Sequence, residues 1–216
     1  MHYAPGRDEC PLPWDPFKGC TVPRPIGWLS TISLEGHVNL APFSQWQNLT
    51  FDPPMVMFAA NRLADGRKKD TVQNAEDTGW FTWNMATYEL REAVNTSAAE
   101  FPSNVNEFTE AGVTEAPCID APCPRVAESP CHFECRYLST HHLPGNSPVG
   151  EVDVVYGRVE RIHIRDDVVR DGKLDIPTIQ PIARLGYYDY TVVREVFEMK
   201  IPNASEATLK GLEGRA

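Results

Sequence analysis

The feature that most constrains this fold is a series of short β-prone runs separated by turn residues. Residues 26–33 are apolar and rich in β-formers, Glu35 and Gly36 supply a turn, and residues 38–43 return as a second apolar run. Two such runs joined by a short Gly-containing loop are typical of a β-hairpin. The pattern therefore predicts an antiparallel strand pair at the start of the folded region.

The same signal recurs along the rest of the chain. Further strands are predicted at residues 55–59, 80–85, 131–139, 149–164 and 194–201, and short helices at 70–78, 87–99 and 105–111. Within 149–164 the alternation of apolar residues shifts after Val159, which indicates a β-bulge or a sharp bend. Many antiparallel strands with a few short helices predict an α+β, mainly β fold built around a closed or nearly closed barrel.

The length and composition suit one domain. The chain has 216 residues, of which 42% are hydrophobic, and this is enough to build one core. Residues 1–22 contain several prolines and little periodicity, so we expect an irregular N-terminal arm. We expect the folded domain to span residues 23–202 and residues 203–216 to form a C-terminal tail.

The charge balance excludes some classes of partner. The formal net charge is −10, and long-range repulsion disfavours binding to nucleic acid or to an anionic membrane surface. No stretch approaches the roughly 20 apolar residues of a membrane-spanning helix, and the N-terminal residues lack the hydrophobic segment of a secretory signal. We therefore expect a cytoplasmic protein that binds neither nucleic acid nor membrane.

Four of the six cysteines cluster late in the chain, at positions 118, 123, 131 and 135. Their spacing matches neither a zinc site with two short knuckles nor an iron–sulfur cluster. Cys131 and Cys135 also lie on one predicted strand, about 13 Å apart, which is too far to share an ion. We expect reduced thiols and no metal, although a cysteine-based metal-binding module remains as an alternative class.

A basic segment precedes the first long predicted helix. Arg67, Lys68 and Lys69 stand directly before its start, where free N–H groups and the helix dipole favour an anion such as phosphate. Thr71 adds a hydroxyl donor. Asp70 is placed to cap the helix, and its carboxylate would compete for the same N–H groups. A solvated basic turn is the alternative interpretation.

The predicted hairpin carries polar residues with a regular spacing. Trp28 and Ser30 share one face of the first strand, and Thr31 points to the other. On the second strand Pro42 removes a ladder donor, which marks an edge or a bulge where backbone is free to meet a ligand. An ordinary half-buried strand pair is the alternative.

A family resemblance rests on four blocks, Pro23-Arg24-Pro25-Ile26-Gly27-Trp28-Leu29-Ser30-Thr31, Asn39-Leu40-Ala41-Pro42-Phe43-Ser44, Asp52-Pro53-Pro54-Met55-Val56-Met57-Phe58 and Lys69-Asp70-Thr71. Together they resemble the flavin reductase-like family of FMN-binding split barrels, and the likeness extends from Pro23 to about Pro202. The resemblance implies a six-stranded antiparallel split β-barrel with short flanking helices. It also implies a homodimer with FMN bound near the subunit interface.

By position, the resemblance implies a set of cofactor-binding residues. These are Trp28, Ser30, Thr31, Asn39, Ala41, Pro42, Ser44, Lys68, Lys69, Thr71 and Arg184. Lys69 and Thr71 are expected to bind the phosphate, and Arg184 to reach the flavin edge or the opposite subunit. No catalytic side chain is predicted, because hydride transfer to flavin needs only orientation and the exclusion of water.

The implied activity is that of an NAD(P)H-dependent flavin oxidoreductase. Hydride would pass to FMN, and the electrons would pass on to a second flavin, to oxygen or to a partner protein. A non-enzymatic FMN-binding electron carrier is the alternative. The sequence departs from the family pattern at residues 45–48 and 187–190, both implied to lie near the exposed face of the ring. The electron acceptor and the choice between NADH and NADPH therefore stay open.

Overall fold

The computed structural model describes residues 1–212. Within them the chain forms fourteen strands, and neighbouring strands run antiparallel. In chain order these are β1 Arg24–Pro25, β2 Gly27–Ile32, β3 Val38–Phe43, β4 Trp46–Phe51, β5 Pro54–Asn61, β6 Trp80–Asn84, β7 Glu115–Ala116, β8 Arg125–Val126, β9 Cys131–Leu143, β10 Val152–Ile164, β11 Val169–Arg170, β12 Lys173–Leu174, β13 Ile182–Arg184 and β14 Tyr190–Val192.

The helices are short and lie before, between or after the strands in the chain. They are α1 Phe17–Cys20, α2 Asp70–Thr78, α3 Arg91–Thr96, α4 Glu107–Ala111, α5 Ile176–Ile179 and α6 Glu206–Leu212, with 3-10 turns at Pro148–Gly150 and Asp166–Val168. In the part of the chain that the structure describes, no helix is both long and apolar enough to cross a membrane.

Seven strands form one antiparallel sheet in the order β3-β2-β6-β9-β10-β5-β4. Its edge strands, β3 and β4, are consecutive in the chain and are joined by only Ser44 and Gln45, so the two edges must meet there. Across this junction the Ala59 N–H donates to the Gln45 carbonyl at 2.8 Å, and the rings of Phe43 and Phe58 lie 5.3 Å apart. The sheet therefore rolls into a split barrel, beside which β1, β13 and β14 form a small second sheet.

Both faces of β2 are buried, which makes it a central strand of the molecule. One face contributes Leu29 to the barrel interior. There Leu29 belongs to one cluster with Phe58 of β5 and Phe81 of β6, and all three side chains are fully buried. The other face contributes Trp28 to a second cluster with Phe108 of α4. Burial of each such large apolar side chain stabilises the fold by about 1.5–3 kcal/mol.

The predicted bulge in the long strand is confirmed. The pairing of β10 with β9 shifts register between Val159 and Arg161, and shifts again between Tyr156 and Gly157. A Cβ at Gly157 would overlap the Phe81 ring, so this position needs the close approach that glycine allows.

The predicted hairpin is confirmed as β2 and β3, and the helix at residues 70–78 is confirmed as α2. It ends at Gly79, whose φ of 76° gives the left-handed helix end that glycine favours. The helix predicted at 87–99 is shorter, because Thr87 forms a β-bridge with Pro181 and the Tyr88 N–H donates to the Gln180 carbonyl. Thr87 and Tyr88 therefore form strand-like hydrogen bonds and do not join the helix.

Two predictions about strands were wrong. The main sheet has seven strands because β4, whose side chains are exposed after Trp46, adds an edge that the sequence pattern did not reveal. The strand predicted at 194–201 is absent, since residues 193–200 have no ladder partner within residues 1–212 and the preceding Tyr190–Val192 forms β14 instead. In the predicted tail, α6 is formed, and residues 213–216 lie outside the described residues.

Candidate functional site

A cleft lies between β3, the start of α2 and the segment 97–103 that follows α3. We call it the cleft throughout. Its lining residues are Asn39, Ala41, Pro42, Phe43, Leu63, Arg67, Lys69, Asp70, Thr71, Ser97, Ala98, Ala99, Glu100, Phe101, Pro102, Ser103 and Glu107. Five of the predicted cofactor residues, on β3 and at the start of α2, are thereby brought together from separate parts of the sequence.

The first turn of α2 is open toward the cleft. Lys69 is the N-cap residue, and no side chain caps the helix there. The expectation that Asp70 caps the helix was therefore wrong, because Asp70 is already its first helical residue. Within residues 1–212 the N–H groups of Asp70 and Thr71 have no protein acceptor. Such N–H groups at the positive end of the helix dipole favour an anion.

A hydrogen-bond network fixes the cleft floor. The amide Nδ2 of Asn39 donates to Thr71 Oγ1 at 2.9 Å and to Thr31 Oγ1 at 3.3 Å. Asn74 Nδ2 donates to the same Thr31 oxygen at 3.1 Å. Because Thr71 Oγ1 accepts from Asn39, its own hydrogen remains free to donate. The network places one hydroxyl donor beside the open helix start, whereas Thr31 supports the floor from below.

The three predicted cations point in different directions. Lys69 Nζ lies 3.1 Å from Glu100 Oε1, and the Glu100 side chain is 79% exposed. Exposed pairs of this kind contribute at most about 1 kcal/mol, so a phosphate can replace Glu100 at little cost. Arg67 lines the cleft but pairs with the neighbouring Asp65. Lys68 Nζ bonds to Glu76 on the side of α2 and does not line the cleft.

Besides Glu100, which is paired with Lys69, two more carboxylates oppose an anion at this end of the cleft. Asp70 lines it, and Glu107 is buried with Oε2 accepting from the Leu40 N–H at 3.1 Å. Burial raises the pKa of Glu107, and the Asp70 charge adds to the rise. The cleft therefore holds a carboxyl group whose charge is costly and can be relieved by a proton.

The edge of β3 along the cleft leaves little unsatisfied backbone. The backbone groups of Leu40 and Pro42 point to the side away from β2. There Glu107 accepts a hydrogen bond from the Leu40 N–H, and Pro42 has no N–H that would need an acceptor. Ala41, Pro42 and Phe43 add an apolar wall. A planar apolar ring can therefore lie against β3 without burying an unpaired donor.

Next to the cleft lies a second depression, here called the groove. It is lined by Lys18, Arg24, Ile26, Pro42, Phe43, Ser44, Ala98, Arg184, Leu185, Tyr187 and Tyr190. Pro42, Phe43 and Ala98 line both depressions, so the two are contiguous. Besides Pro42, which it shares with the cleft, the groove contains two further predicted cofactor residues, Ser44 and Arg184.

Trp28 and Ser30 line neither depression, and their expected contact with a cofactor is not supported by their positions. Trp28 is fully buried and donates through Nε1 to Ser97 Oγ at 2.9 Å. Ser30 is also fully buried and donates to the Pro124 carbonyl at 2.5 Å. The reason is that β2 is central, with strands on both sides and packed clusters on both faces. The sequence pattern missed the segment 97–103 and Glu107, which carry no local motif.

The cysteines lie away from the cleft. The thiols of Cys118 and Cys123 both lie near Thr82 Oγ1, at 3.4 and 3.3 Å. Burial raises the pKa of Cys118 to about 11 and that of Cys123 to about 12, so both are protonated near neutral pH. Thiols in this state are poor metal ligands and poor nucleophiles.

The structure combines a split barrel, a cleft beside edge strand β3 and an open helix start of the kind that favours an anion. Residues 19–194 match the family described as the flavin reductase like domain. The chain therefore belongs to the flavin reductase-like family. This membership supports a role as a flavin-related oxidoreductase.

Related proteins agree with this membership. The chain is 34% identical over 188 residues to an uncharacterised protein of Halalkalibacterium halodurans, covering 87% of this chain and 90% of that protein. Nitrilotriacetate monooxygenase component B of Bacillus cereus is 27% identical, with a TM-score of 0.84 over 92% of this chain and 98% of that one. Flavoredoxin of Desulfovibrio vulgaris, at 17% identity, has the same fold, with a TM-score of 0.71 over 94% and 99% of the two chains.

The residues at the cleft fit a flavin that carries a phosphate. Three kinds of donor suit a phosphate, namely the N–H groups in the first turn of α2, the hydroxyl of Thr71 and the ammonium of Lys69. The exposed pair of Lys69 with Glu100 can be exchanged for a pair with the phosphate. The apolar wall on β3 suits the ring. The carboxyl groups of Asp70, Glu100 and Glu107 oppose the fit, and that of Glu100 does so through its exposed pair with Lys69.

Proposed function

We propose that this protein binds FMN in the cleft and acts as an NAD(P)H-dependent oxidoreductase that passes the electrons on to an acceptor. The observation that carries the proposal is the start of α2, where two N–H groups, the Thr71 hydroxyl and Lys69 converge on one side of the cleft. The cluster at this helix start matches a single terminal phosphate such as that of FMN.

In this proposal the residues of the chain bind and orient the cofactor and exclude water. Lys69 and Thr71 hold the phosphate, and Asn39 fixes the direction of the Thr71 hydroxyl. Ala41, Pro42 and Phe43 cover one side of the ring. When bound, FMN supplies a ring that accepts a hydride and releases electrons singly or in pairs. No protein acid or base is required at the hydride.

A second candidate function is an electron carrier that does not accept nicotinamide. One observation favours it. The groove beside the cleft is lined by Lys18 of α1 and by Tyr187, against which the Trp14 ring packs edge-on at 5.9 Å. A nicotinamide ring would need room next to the flavin, and this part of the chain reduces that room.

We also propose that the protein works as a homodimer. Large apolar side chains are exposed on the N-terminal arm and on the segment after β14, among them Trp14 at 57%, Phe17 at 68%, Phe197 at 84% and Met199 at 79%. Exposed apolar groups of this size support a partner surface. Light scattering behind a size-exclusion column is the direct test, and a monomeric mass would contradict the proposal.

The experiment for the proposed function uses the protein as purified. Its ligand is released by denaturation and identified by mass spectrometry, and the flavin absorption of the intact protein is followed during anaerobic addition of NADH or NADPH. The proposal predicts FMN, and bleaching by at least one nucleotide within seconds to minutes. FMN without bleaching would select the electron carrier. Recovery of FAD, or of no flavin after reconstitution, would contradict both.

A further inference from the structure

Two arginines in the groove face each other across a strand pair. In the β1–β13 ladder Arg24 lies directly opposite Arg184. Like charges in directly opposed positions destabilise a sheet, so such a pair needs compensation. Lys18 lines the same groove, whereas none of its lining residues in the described chain is Asp or Glu. The groove therefore collects three cations and no carboxylate.

The partners of these arginines leave their charge unneutralised. Arg24 donates from Nη1 to the carbonyls of Lys18 and Thr21 and from Nη2 to the Leu185 carbonyl at 2.8 Å. Its Nε is buried without a hydrogen-bond partner. Neither Arg24 nor Arg184 forms an ion pair within residues 1–212. Burial, and then the Arg184 charge, lower the pKa of Arg24.

Arg184 is held in place and still has donors to spare. Its Nη2 donates to the Tyr187 carbonyl, and its guanidinium lies 4.6 Å from the centre of the Tyr190 ring. A guanidinium has five N–H donors in a rigid fork, so most of those on Arg184 remain for a ligand. The aromatic walls of Tyr187 and Tyr190 suit a ligand in which the anionic group is attached to a ring.

We propose that the groove is an oxyanion subsite, and that Arg184 and Arg24 bind the carboxylate or phosphate group of the compound that exchanges electrons with the flavin. This inference rests on the proposed function. Because Pro42, Phe43 and Ala98 line both depressions, a ligand in the groove lies beside a ring in the cleft. Two sources share this chemistry, namely the pyrophosphate of a nicotinamide dinucleotide and the carboxylate of an aromatic acid.

The test is isothermal titration calorimetry at constant ionic strength, with sodium benzoate and sodium pyrophosphate as probes and with the flavin content measured beforehand. The variants are Arg184→Gln and Arg184→Lys. Arg91→Gln is the matched control, because Arg91 also stacks on a tyrosine, 4.2 Å from the Tyr88 ring, but lies outside the groove. Arg24 is left unchanged, since its bonds hold the N-terminal arm and its loss would disturb folding.

We expect at least one probe to bind the native protein and the Arg91→Gln control equally, and to bind the Arg184→Gln variant at least tenfold more weakly, with Arg184→Lys in between. Binding of benzoate alone selects an aromatic acid as the source, and binding of pyrophosphate selects the dinucleotide. The proposal would be overturned if neither probe binds, or if Arg184→Gln and Arg91→Gln lose equal amounts of affinity for the probe.

Failure of the proposed function would give a different result. Calorimetry reports anion binding with or without flavin, so a protein that lacks flavin still tests the subsite. If Arg184→Gln weakens FMN but leaves riboflavin binding unchanged, the groove holds the phosphate of the flavin itself. That outcome would overturn the proposal that the groove binds the reaction partner. It would also contradict the assignment of the FMN phosphate to Lys69.

Discussion

The amide of Asn39 donates to the hydroxyl of Thr71 at 2.9 Å and so connects edge strand β3 to the first turn of α2. Both side chains are buried, and both line the cleft. The contact orients the Thr71 hydroxyl so that its oxygen is already occupied and its hydrogen is free. A strand and a helix that are separated in sequence thereby form one anion-binding corner.

The first prediction tests this contact with Asn39→Ala. Removing the amide leaves the Thr71 hydroxyl unoriented and should weaken FMN binding about three- to tenfold, with a loss of about 1–3 kcal/mol in the free energy of unfolding. Asn74→Ala is the control, because Asn74 is also buried and donates to Thr31 but does not line the cleft. Titration of the apoprotein with FMN and urea unfolding measure the two effects. Equal losses of FMN affinity in the two variants would contradict the assigned role.

The second prediction concerns Glu107→Gln. The amide oxygen of glutamine can still accept from the Leu40 N–H, while the negative charge leaves the cleft. FMN should therefore bind about two- to tenfold more tightly at pH 7. Because the folded-state pKa of Glu107 is raised, the native protein gains relative stability below the unfolded pKa of this group and loses it as the pH rises through the folded value. The variant should lack this trend, and a weaker affinity for FMN would count against a phosphate near Glu107.

The third prediction is acid instability caused by His132. Its Nε2 lies 2.7 Å from the Val126 carbonyl, and burial lowers its pKa to about 4. A depressed pKa means that the native state binds fewer protons, so stability is full above about pH 6.5 and falls by up to about 3 kcal/mol as the pH drops toward 4. His132→Gln keeps a donor for Val126 and should flatten this slope. The exposed His141→Gln should retain it, and equal slopes in all three proteins would refute the assignment.

The fourth prediction is that the cysteine cluster has no part in cofactor binding. Cys118→Ser should leave flavin content unchanged, because Cys118 contacts Thr82 away from the cleft. Changing the buried Cys131 to Ser should cost about 1 kcal/mol, because a buried hydroxyl without a hydrogen-bond partner is less favourable than a buried thiol. Metal analysis of protein purified without chelator is the check. Near-stoichiometric zinc or iron that is lost, together with the fold, in Cys118→Ser would show a metal site.

Local signals made much of the fold predictable. The turn at Gly36 and the two apolar runs specify the β2–β3 hairpin, and Gly79 specifies the end of α2. The strand β4 was missed because its side chains are exposed after Trp46, so no alternation of buried and exposed residues indicates its pairing with β5. The strand predicted at 194–201 has the right alternation, yet within the described chain no free edge pairs with it.

The candidate site was only partly predictable for the same kind of reason. Lys69 and Thr71 follow from the helix start, which is a local pattern. The direction of Lys68 toward Glu76 and the burial of Ser30 depend on which face of α2 or β2 meets the rest of the molecule. Glu107 is distant in sequence and comes to the cleft through the packing of α4 and through its bond to Leu40. Sequence patterns carry no information on such contacts.

The most direct test of the central claim compares FMN with riboflavin, which lacks the phosphate. The apoprotein is titrated with both ligands in native form, as the Lys69→Ala, Thr71→Ala double variant, and as Lys68→Ala. Lys68 is the matched control, because its ammonium pairs with Glu76 outside the cleft. The two charge-assisted bonds should together contribute about 2–4 kcal/mol. The double variant should therefore bind FMN at least tenfold more weakly and riboflavin nearly as before, with Lys68→Ala unchanged. Equal losses for FMN and riboflavin, or an equal loss in Lys68→Ala, would contradict a phosphate at the start of α2.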